Sequence, residues 1–491
     1  MLKKRSPYFY PITLSIFICF LSIFNGVIPL QYDNLFYMNG ARNIFEQGAY
    51  VNGVNLVEPQ WPILYSLTLV PSFFLGIPVE VFARILNFLY FFGGIFFFFQ
   101  FLKLNKVSEK TTFSVTAFCL LNYYLYRSVF LEMPDIALFF YFNFFVYLCA
   151  NLNNKPVQSA CWIGIVSLLS TMTKPTGAIF AISCLLSFVG GLVFNRRFDK
   201  GYFIACISSV VGLVAAKVIN KKVILNLTSL GYEVNTYWQK VDGGVSNLIL
   251  ILQDQLKIFT DFSIFYQKII FFSNWLIPSG VFAKISIIPF FLGLLLLLII
   301  IYQIWILAFK AKKKFSLPIV AFIIYAGLCI SPEIQNRHTI LIFPFLFFLV
   351  VTFFEKNDFF NKFDKYKKHL LIFILIFNLI PTFIFLGFGN KKNHSGLLNI
   401  VLGKSYYLSH FDNLKKSAKK LSEYQSNNFF VHENFVRFVS FHSKRQVKPS
   451  KTDTNYESGD IVLLPKADVL KMTKLTTIIY SNPDYQIFKI K

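Results

Sequence analysis

Acid is scarce in this chain. Its 491 residues hold 24 Asp plus Glu against 48 Lys plus Arg, a formal net charge of +24. Cysteine is scarce too: Cys19, Cys119, Cys149, Cys161, Cys184, Cys206 and Cys329 all fall inside apolar stretches, with no paired spacing. That excludes a disulfide framework or a thiolate metal site and leaves them as small core residues. No Gly-rich loop of the kind that cradles nucleotide phosphates is present, and no metal-ligand triad. No internal repeat marks two matching halves, which disfavours a transporter built from repeated bundles.

What the chain has is apolar surface. It is 55% hydrophobic and 19% aromatic, with 62 Phe and a mean hydropathy of +0.56. No soluble domain of this length needs so much, so the composition specifies a polytopic membrane protein. The basic residues lie in short clusters between apolar runs: Lys3 to Arg5, Lys103 to Lys110, Lys155, Arg196 to Lys200, Lys310 to Lys314 and Lys356 to Lys368. This is the positive-inside pattern, and it explains the charge without nucleic acid. The first span follows MLKKR without a small-residue cleavage site and reads as a retained signal anchor.

The expected fold is mainly α, a transmembrane helical bundle of about eleven spans. They lie at 10–30, 80–102, 112–130, 134–151, 157–173, 176–194, 201–220, 283–308, 316–331, 338–354 and 369–388. With the N-terminus cytoplasmic, this topology puts 31–79, 221–282, the turns near 131–133 and 174–175, 332–337 and everything after 389 on the outer face of the cytoplasmic membrane. The segments 62–76 and 244–276 read as helices lying on the membrane. After Gly389 the composition turns polar, and strands are expected at 428–432, 460–464, 476–480 and 485–489. Two domains are expected: a transmembrane domain at 1–388 and a small extracytoplasmic α/β domain at 389–491.

Several polar groups fall on the outer side of this topology. Asp33 opens a run in which Tyr37, Ala41, Arg42 and Phe45 recur at helical spacing, so Asp33 and Arg42 border one face. Glu132 and Asp135 stand at the outer end of a span, where Pro134 suits a first helical turn and Asp135 meets the positive end of its dipole. They either line a cavity or cap the span against headgroups. Lys174, in the turn STMTKPTGAIF, either binds a phosphate or snorkels to lipid. Arg337, beside His338, either anchors a helix or grips a phosphate with its bidentate fork. Arg84, about one turn into the second span, needs a partner. Acids and cations gathered at an outer leaflet suit group transfer from a lipid-linked phosphate donor. The departing phosphate needs cationic stabilisation, and the incoming hydroxyl needs a carboxylate such as Asp33 to accept its proton.

These segments resemble the GT-C superfamily of integral-membrane glycosyltransferases, which includes the protein mannosyltransferases and the lipid A aminoarabinose transferases. Asp33 to Tyr37, followed by Ala41, Arg42, Gly48 and Tyr50, is similar to that family's acid–Tyr–Ala–Arg–Gly–Tyr segment. EPQWPILYSLTL is similar to its Pro-rich interfacial helix, ARILNFLYFFGG to its second span, LEMPDIALFF to its outer acid, and SLLSTMTKPTGAIF to its Lys/Arg turn. The resemblance implies an inverting transferase that takes a sugar from a polyprenyl-phosphate donor, with a glycolipid, polysaccharide or protein as acceptor and membrane lipid as surroundings. It places Asp33 as the catalytic acid and Asp135 as the second outer acid, with Glu132 beside it. Lys174 and Arg42 fall at the donor phosphate. Glu58 and Tyr65 of the interfacial segment, Arg84 and Arg337 are assigned to substrate binding. Many members carry two adjacent acids in the first loop, and here the second is Asn34. That departure leaves open whether a divalent cation takes part and whether Glu58 or Glu132 shares the role of base. The rival expectations are a lipid-linked oligosaccharide polymerase or ligase and a lipid-linked sugar flippase.

Overall fold

The computed structural model describes residues 7–23, 26–27, 32–48, 50, 62–130, 133–195, 199–227, 266, 287–306, 320–321, 323, 340–356, 364–388, 394–395, 406–426, 428–432, 435–443, 447–450, 456–466, 468 and 476–490. The chain opens with α1 (Phe9–Ile23), a short strand β1 (Gly26–Val27) and the helices α2 (Tyr32–Gln47), α3 (Leu64–Leu69) and α4 (Pro71–Phe74). Long helices follow: α5 (Val79–Leu104), α6 (Glu109–Leu120), α7 (Tyr123–Phe130), α8 (Asp135–Asn151), α9 (Pro156–Thr173), α10 (Ile179–Asn195), α11 (Lys200–Leu227), α12 (Ile287–Trp305), α13 (Phe343–Lys356) and α14 (Asp364–Phe388). The C-terminal part holds β2 (His394–Ser395), α15 (Tyr406–Leu421), β3 (Phe429–His432), α16 (Val436–Ser443), β4 (Lys448–Ser450), β5 (Ile461–Pro465), β6 (Thr476–Ser481) and β7 (Tyr485–Ile490). The chain forms two compact units, one of residues 1–21, 84–221 and 235–383, the other of 22–83, 222–234 and 384–491.

The first unit is helical. Four helices among the described residues, Val79–Leu104, Thr176–Val193, Lys200–Asn220 and Ile288–Trp305, are long and apolar enough to cross a membrane, and shorter apolar helices accompany them. Leu89, Phe96, Val193, Val211, Phe291 and Leu298 present bare apolar surface, as lipid-facing residues do. Inside, ring packing dominates: Phe118 of α6 stacks on Phe347 of α13 with centroids 3.7 Å apart. Sequence cues set the helix ends. Ser108 accepts the Thr111 amide at 3.1 Å to start α6, and Pro156 occupies the first turn of α9, where its missing N–H costs nothing.

The run expected as one span at 112–130 is two helices, broken at Leu121 and Asn122. The cause is a buried amide. Asn122 Oδ1 accepts the Tyr124 and Leu125 amides at 3.0 and 3.2 Å, which starts a new helix. The Tyr126 hydroxyl donates to the Leu120 carbonyl left at the break. Asn122 Nδ2 in turn donates to Asn378 Oδ1 of α14 at 3.0 Å. The Leu120 carbonyl, the Tyr124 and Leu125 amides and the Asn122 amide group thus each meet a partner, as an apolar surround requires.

The second unit joins the C-terminal part to the segment after α1. Strand β1 pairs antiparallel with β2, Gly26 opposite Ser395. A five-stranded sheet runs in the order β4-β3-β5-β7-β6, with β3 parallel to β4 and β5, and β7 antiparallel to β5 and β6. Central β5 (IVLLP) is buried on both faces, which explains its unbroken apolar run. On one face α15 and α16 cover the sheet with Leu414, Leu421, Phe438 and Val439, and Leu35 of α2 is part of that same core. Burying Leu35, 2% exposed, is worth about 1.5–3 kcal/mol. The four expected strands occur within a residue of their places. The three-residue edge strand β4 was not foreseen, and Pro449 within it is a residue that only an edge tolerates.

Candidate functional site

In the first unit, two antiparallel helices bring a carboxylate and an ammonium together. Helices α8 and α9 are joined by the short turn Leu152–Lys155, so the start of α8 and the end of α9 lie at the same end of the hairpin. Asp135 opens α8 immediately after Pro134, where the helix dipole is positive. Lys174 closes α9 in an extended conformation, where the dipole is negative. Each charge therefore suits its own helix end, and Lys174 Nζ donates to Asp135 Oδ1 at 2.5 Å. The side chains are 8% and 4% exposed, so this is a buried ion pair. One carboxylate oxygen is committed to holding the lysine.

Other polar side chains of the first unit are enclosed as well. Tyr141 of α8 shares hydrogen bonds with Thr173, the residue before Lys174, and with Tyr90 of α5. Arg84, earlier on α5, is 4% exposed. Three residues on, Asn87 Nδ2 donates to the Val129 carbonyl at 3.2 Å and ties α5 to α7.

The second unit holds Asp33, Arg42 and Tyr65. Asp33 lies in the first turn of α2. Asn34 is buried, and its Oδ1 accepts the Leu35 amide at 3.0 Å. A neutral amide here satisfies a helix-start N–H. Tyr37 meets Tyr65 of α3 edge to face at 5.2 Å. Arg42 is 7% exposed, donates to Asn39 Oδ1 at 3.0 Å and has Glu46 at 3.9 Å. Burial pulls its guanidinium below the ordinary value, and Glu46 opposes this. Gly40 makes the α2–α3 contact possible, since a Cβ there would stand 2.5 Å from the Tyr50 ring and 2.9 Å from Ser66 Oγ. Tyr50 is wholly enclosed, and burial pushes its hydroxyl up to about 12.

Of the expected site residues, the structure pairs Asp135 with Lys174. It places Asp33, Arg42 and Tyr65 on one packed helix pair of the second unit, and buries Arg84 in the first. Glu58, Glu132 and Arg337 lie outside the described residues, as do His338 and, apart from Tyr266, the loop helix at 244–276. Sequence reasoning missed Tyr141, the packing of Tyr50 and Ser66 around Gly40, and the Asn122–Asn378 bond. Lone amides inside apolar runs were a usable signal for the last.

The fold is similar to that of solved ArnT and oligosaccharyltransferase structures. Two solved structures carry the likeness over most of the chain. The ArnT of Cupriavidus metallidurans bound to undecaprenyl phosphate matches with a TM-score of 0.53 at 10% identity, covering 98% of this chain and 97% of that one. The Archaeoglobus fulgidus oligosaccharyltransferase in complex with Zn and sulfate matches with a TM-score of 0.54 at 13% identity, covering 92% of this chain and 68% of that one. The archaeal oligosaccharyltransferase AglB from Archaeoglobus fulgidus, in complex with an inhibitory peptide and a dolichol-phosphate, gives 0.50 at 10% identity, covering 93% of this chain and 69% of that one. No protein-family model matches the chain, and no curated protein matches it by sequence.

Proposed function

We propose that this chain is an inverting glycosyltransferase of the cytoplasmic membrane. It moves a sugar from a polyprenyl-phosphate donor to a glycolipid, polysaccharide or protein acceptor on the outer face. The acceptor oxygen attacks the anomeric carbon, the bond from that carbon to the phosphate oxygen breaks, and the polyprenyl phosphate leaves with the bonding pair. Asp33 accepts the acceptor's proton. Lys174 and Arg42 meet the phosphate charge. Asp135 holds Lys174 in place and is thereby a positioning residue.

The observation that carries this reading is the near-full-length likeness to an ArnT that was captured with undecaprenyl phosphate. The buried Asp135–Lys174 pair adds the cation such a ligand needs. About eleven spans, with the N-terminus inside and the C-terminal sheet outside, put these groups at the outer leaflet. A second reading, transfer of an assembled glycan, draws on the oligosaccharyltransferase likeness. It draws less support, since this chain spans 68% of that enzyme against 97% of the ArnT.

Mass spectrometry of envelope glycolipids, polysaccharides and glycoproteins, with and without the chain, tests the function. A single-sugar increment that disappears with the chain, and with Asp33→Asn at normal membrane levels, is the expected result. Loss of a whole oligosaccharide selects the second reading. Full transfer by the Asp33→Asn chain removes Asp33 from the mechanism.

A further inference from the structure

Lys174 is the hinge of a turn that doubles back on its own helix. Its φ of −156° and ψ of 144° are extended, and a single 3-10 turn, Pro175–Ala178, follows. The Lys174 amide donates to the Ser170 carbonyl at 2.9 Å, and the Gly177 amide donates to the Lys174 carbonyl at 2.9 Å. Ser170 Oγ donates to the Gly177 carbonyl at 3.3 Å. The turn is thereby pressed onto the last turn of α9.

Gly177 lies at the point of contact. A Cβ on it would stand 2.2 Å from the Ser170 carbonyl carbon, 2.4 Å from its oxygen and 2.5 Å from the Thr171 nitrogen. All three are backbone atoms of a buried helical turn, so no rotamer change relieves the overlap. Any side chain at 177 lifts the turn from α9, and the hinge residue moves with it. The ammonium has no slack to absorb that shift, because its contact with Asp135 is already 2.5 Å. By contrast, a Cβ on Gly191 of α10 would meet nothing within 4 Å.

We propose that Gly177 is a positioning residue for Lys174, fixing through the backbone of the turn where the ammonium meets the donor phosphate. This rests on the reading of Lys174 as a phosphate contact. The test is a double-mutant cycle on the purified full chain, with undecaprenyl phosphate as the probe and its affinity as the readout. Lys174→Ala is expected to weaken binding about tenfold, the scale of one lost charge-assisted contact. Gly177→Ala is expected to weaken it to a similar degree, but to add nothing in a Lys174→Ala background. Gly191→Ala binds as the parent does.

Wild-type affinity in Gly177→Ala, or losses that multiply in the double variant, overturns the inference while leaving Lys174's role standing. Unchanged binding in Lys174→Ala overturns the phosphate reading itself, and the inference with it. If Gly177→Ala does not accumulate, Ser170→Ala replaces it, since it removes the bond to the Gly177 carbonyl without adding volume. Its weakening, about twofold to threefold for one neutral hydrogen bond, must vanish in the Lys174→Ala background. A loss that persists there, or no loss at all, overturns the inference.

Discussion

Lys174 Nζ and Asp135 Oδ1 meet at 2.5 Å, across the ends of two antiparallel helices, with both side chains almost fully enclosed. Burial raises the cost of separating them. Removing the carboxylate alone leaves an ammonium that no longer has its counter-charge in a low-dielectric surround. The expected cost of Asp135→Ala is about 3–5 kcal/mol, the scale for breaking a buried pair from one side. The combined change Asp135→Leu with Lys174→Met removes both charges at similar volume and is expected to recover most of that stability. It should not recover sugar transfer. Thermal unfolding of the full chain in detergent measures the first part, and the loss of sugar increment measures the second. An Asp135→Ala chain that unfolds at the parent's temperature would show that the pair carries no weight.

Leu35 ties the helix of Asp33 to the C-terminal sheet. It is 2% exposed and shares one core with Leu414, Leu421, Val431 and Val439, nearly four hundred residues away in sequence. Leu35→Ala leaves a cavity at that junction, and truncations of this kind cost about 2–5 kcal/mol. The expectation goes beyond stability: α2 loses an anchor two residues from Asp33, so transfer should fall more than the amount of folded chain does. Activity per folded molecule, compared between Leu35→Ala and the distant sheet variant Val462→Ala, checks this. Equal activity per folded molecule in both variants would reduce Leu35 to an ordinary core residue.

Much of this architecture was legible, for local reasons. Apolar runs bounded by Pro134 and Pro156 announce α8 and α9, and unbroken or alternating apolar runs announce β3, β5, β6 and β7. Asp135 and Lys174 stood out as charges at span ends, and a hairpin brings residues 39 apart in sequence to the same end. What stayed hidden depends on distant partners. Asn122 stands out as a lone amide in an apolar run, but its partner Asn378, 256 residues on, cannot be read from the residues around it. The entry of Leu35 into the C-terminal core is equally non-local. Gly177 sits in a segment noticed only for its lysine, since a forbidden Cβ is a property of packing and leaves no mark in composition.

His442 gives the second unit a dependence on pH. Its ring meets that of Phe438 at a 59° tilt with centroids 4.4 Å apart on α16, the helix that packs beside α2. Burial, followed by the positive charges of Lys415, Lys419 and Arg42, pushes its imidazole down from 6.5 to about 3. The native state therefore keeps His442 neutral, while the unfolded chain protonates it near its ordinary value. Between those two values the unfolded state binds more protons, so stability must fall as pH falls. The contribution is complete above about pH 6.5 and is lost progressively on the way to about pH 3. Replacing the imidazole by an uncharged ring, His442→Phe, removes this component. The variant is expected to lose less thermal stability than the parent between pH 7 and pH 4, by about 5 °C or more. Parallel pH-dependent melts of the two full-length chains isolate the effect, because every carboxylate titrates alike in both. Superimposable curves would mean that His442 is solvated and titrates normally in the native state.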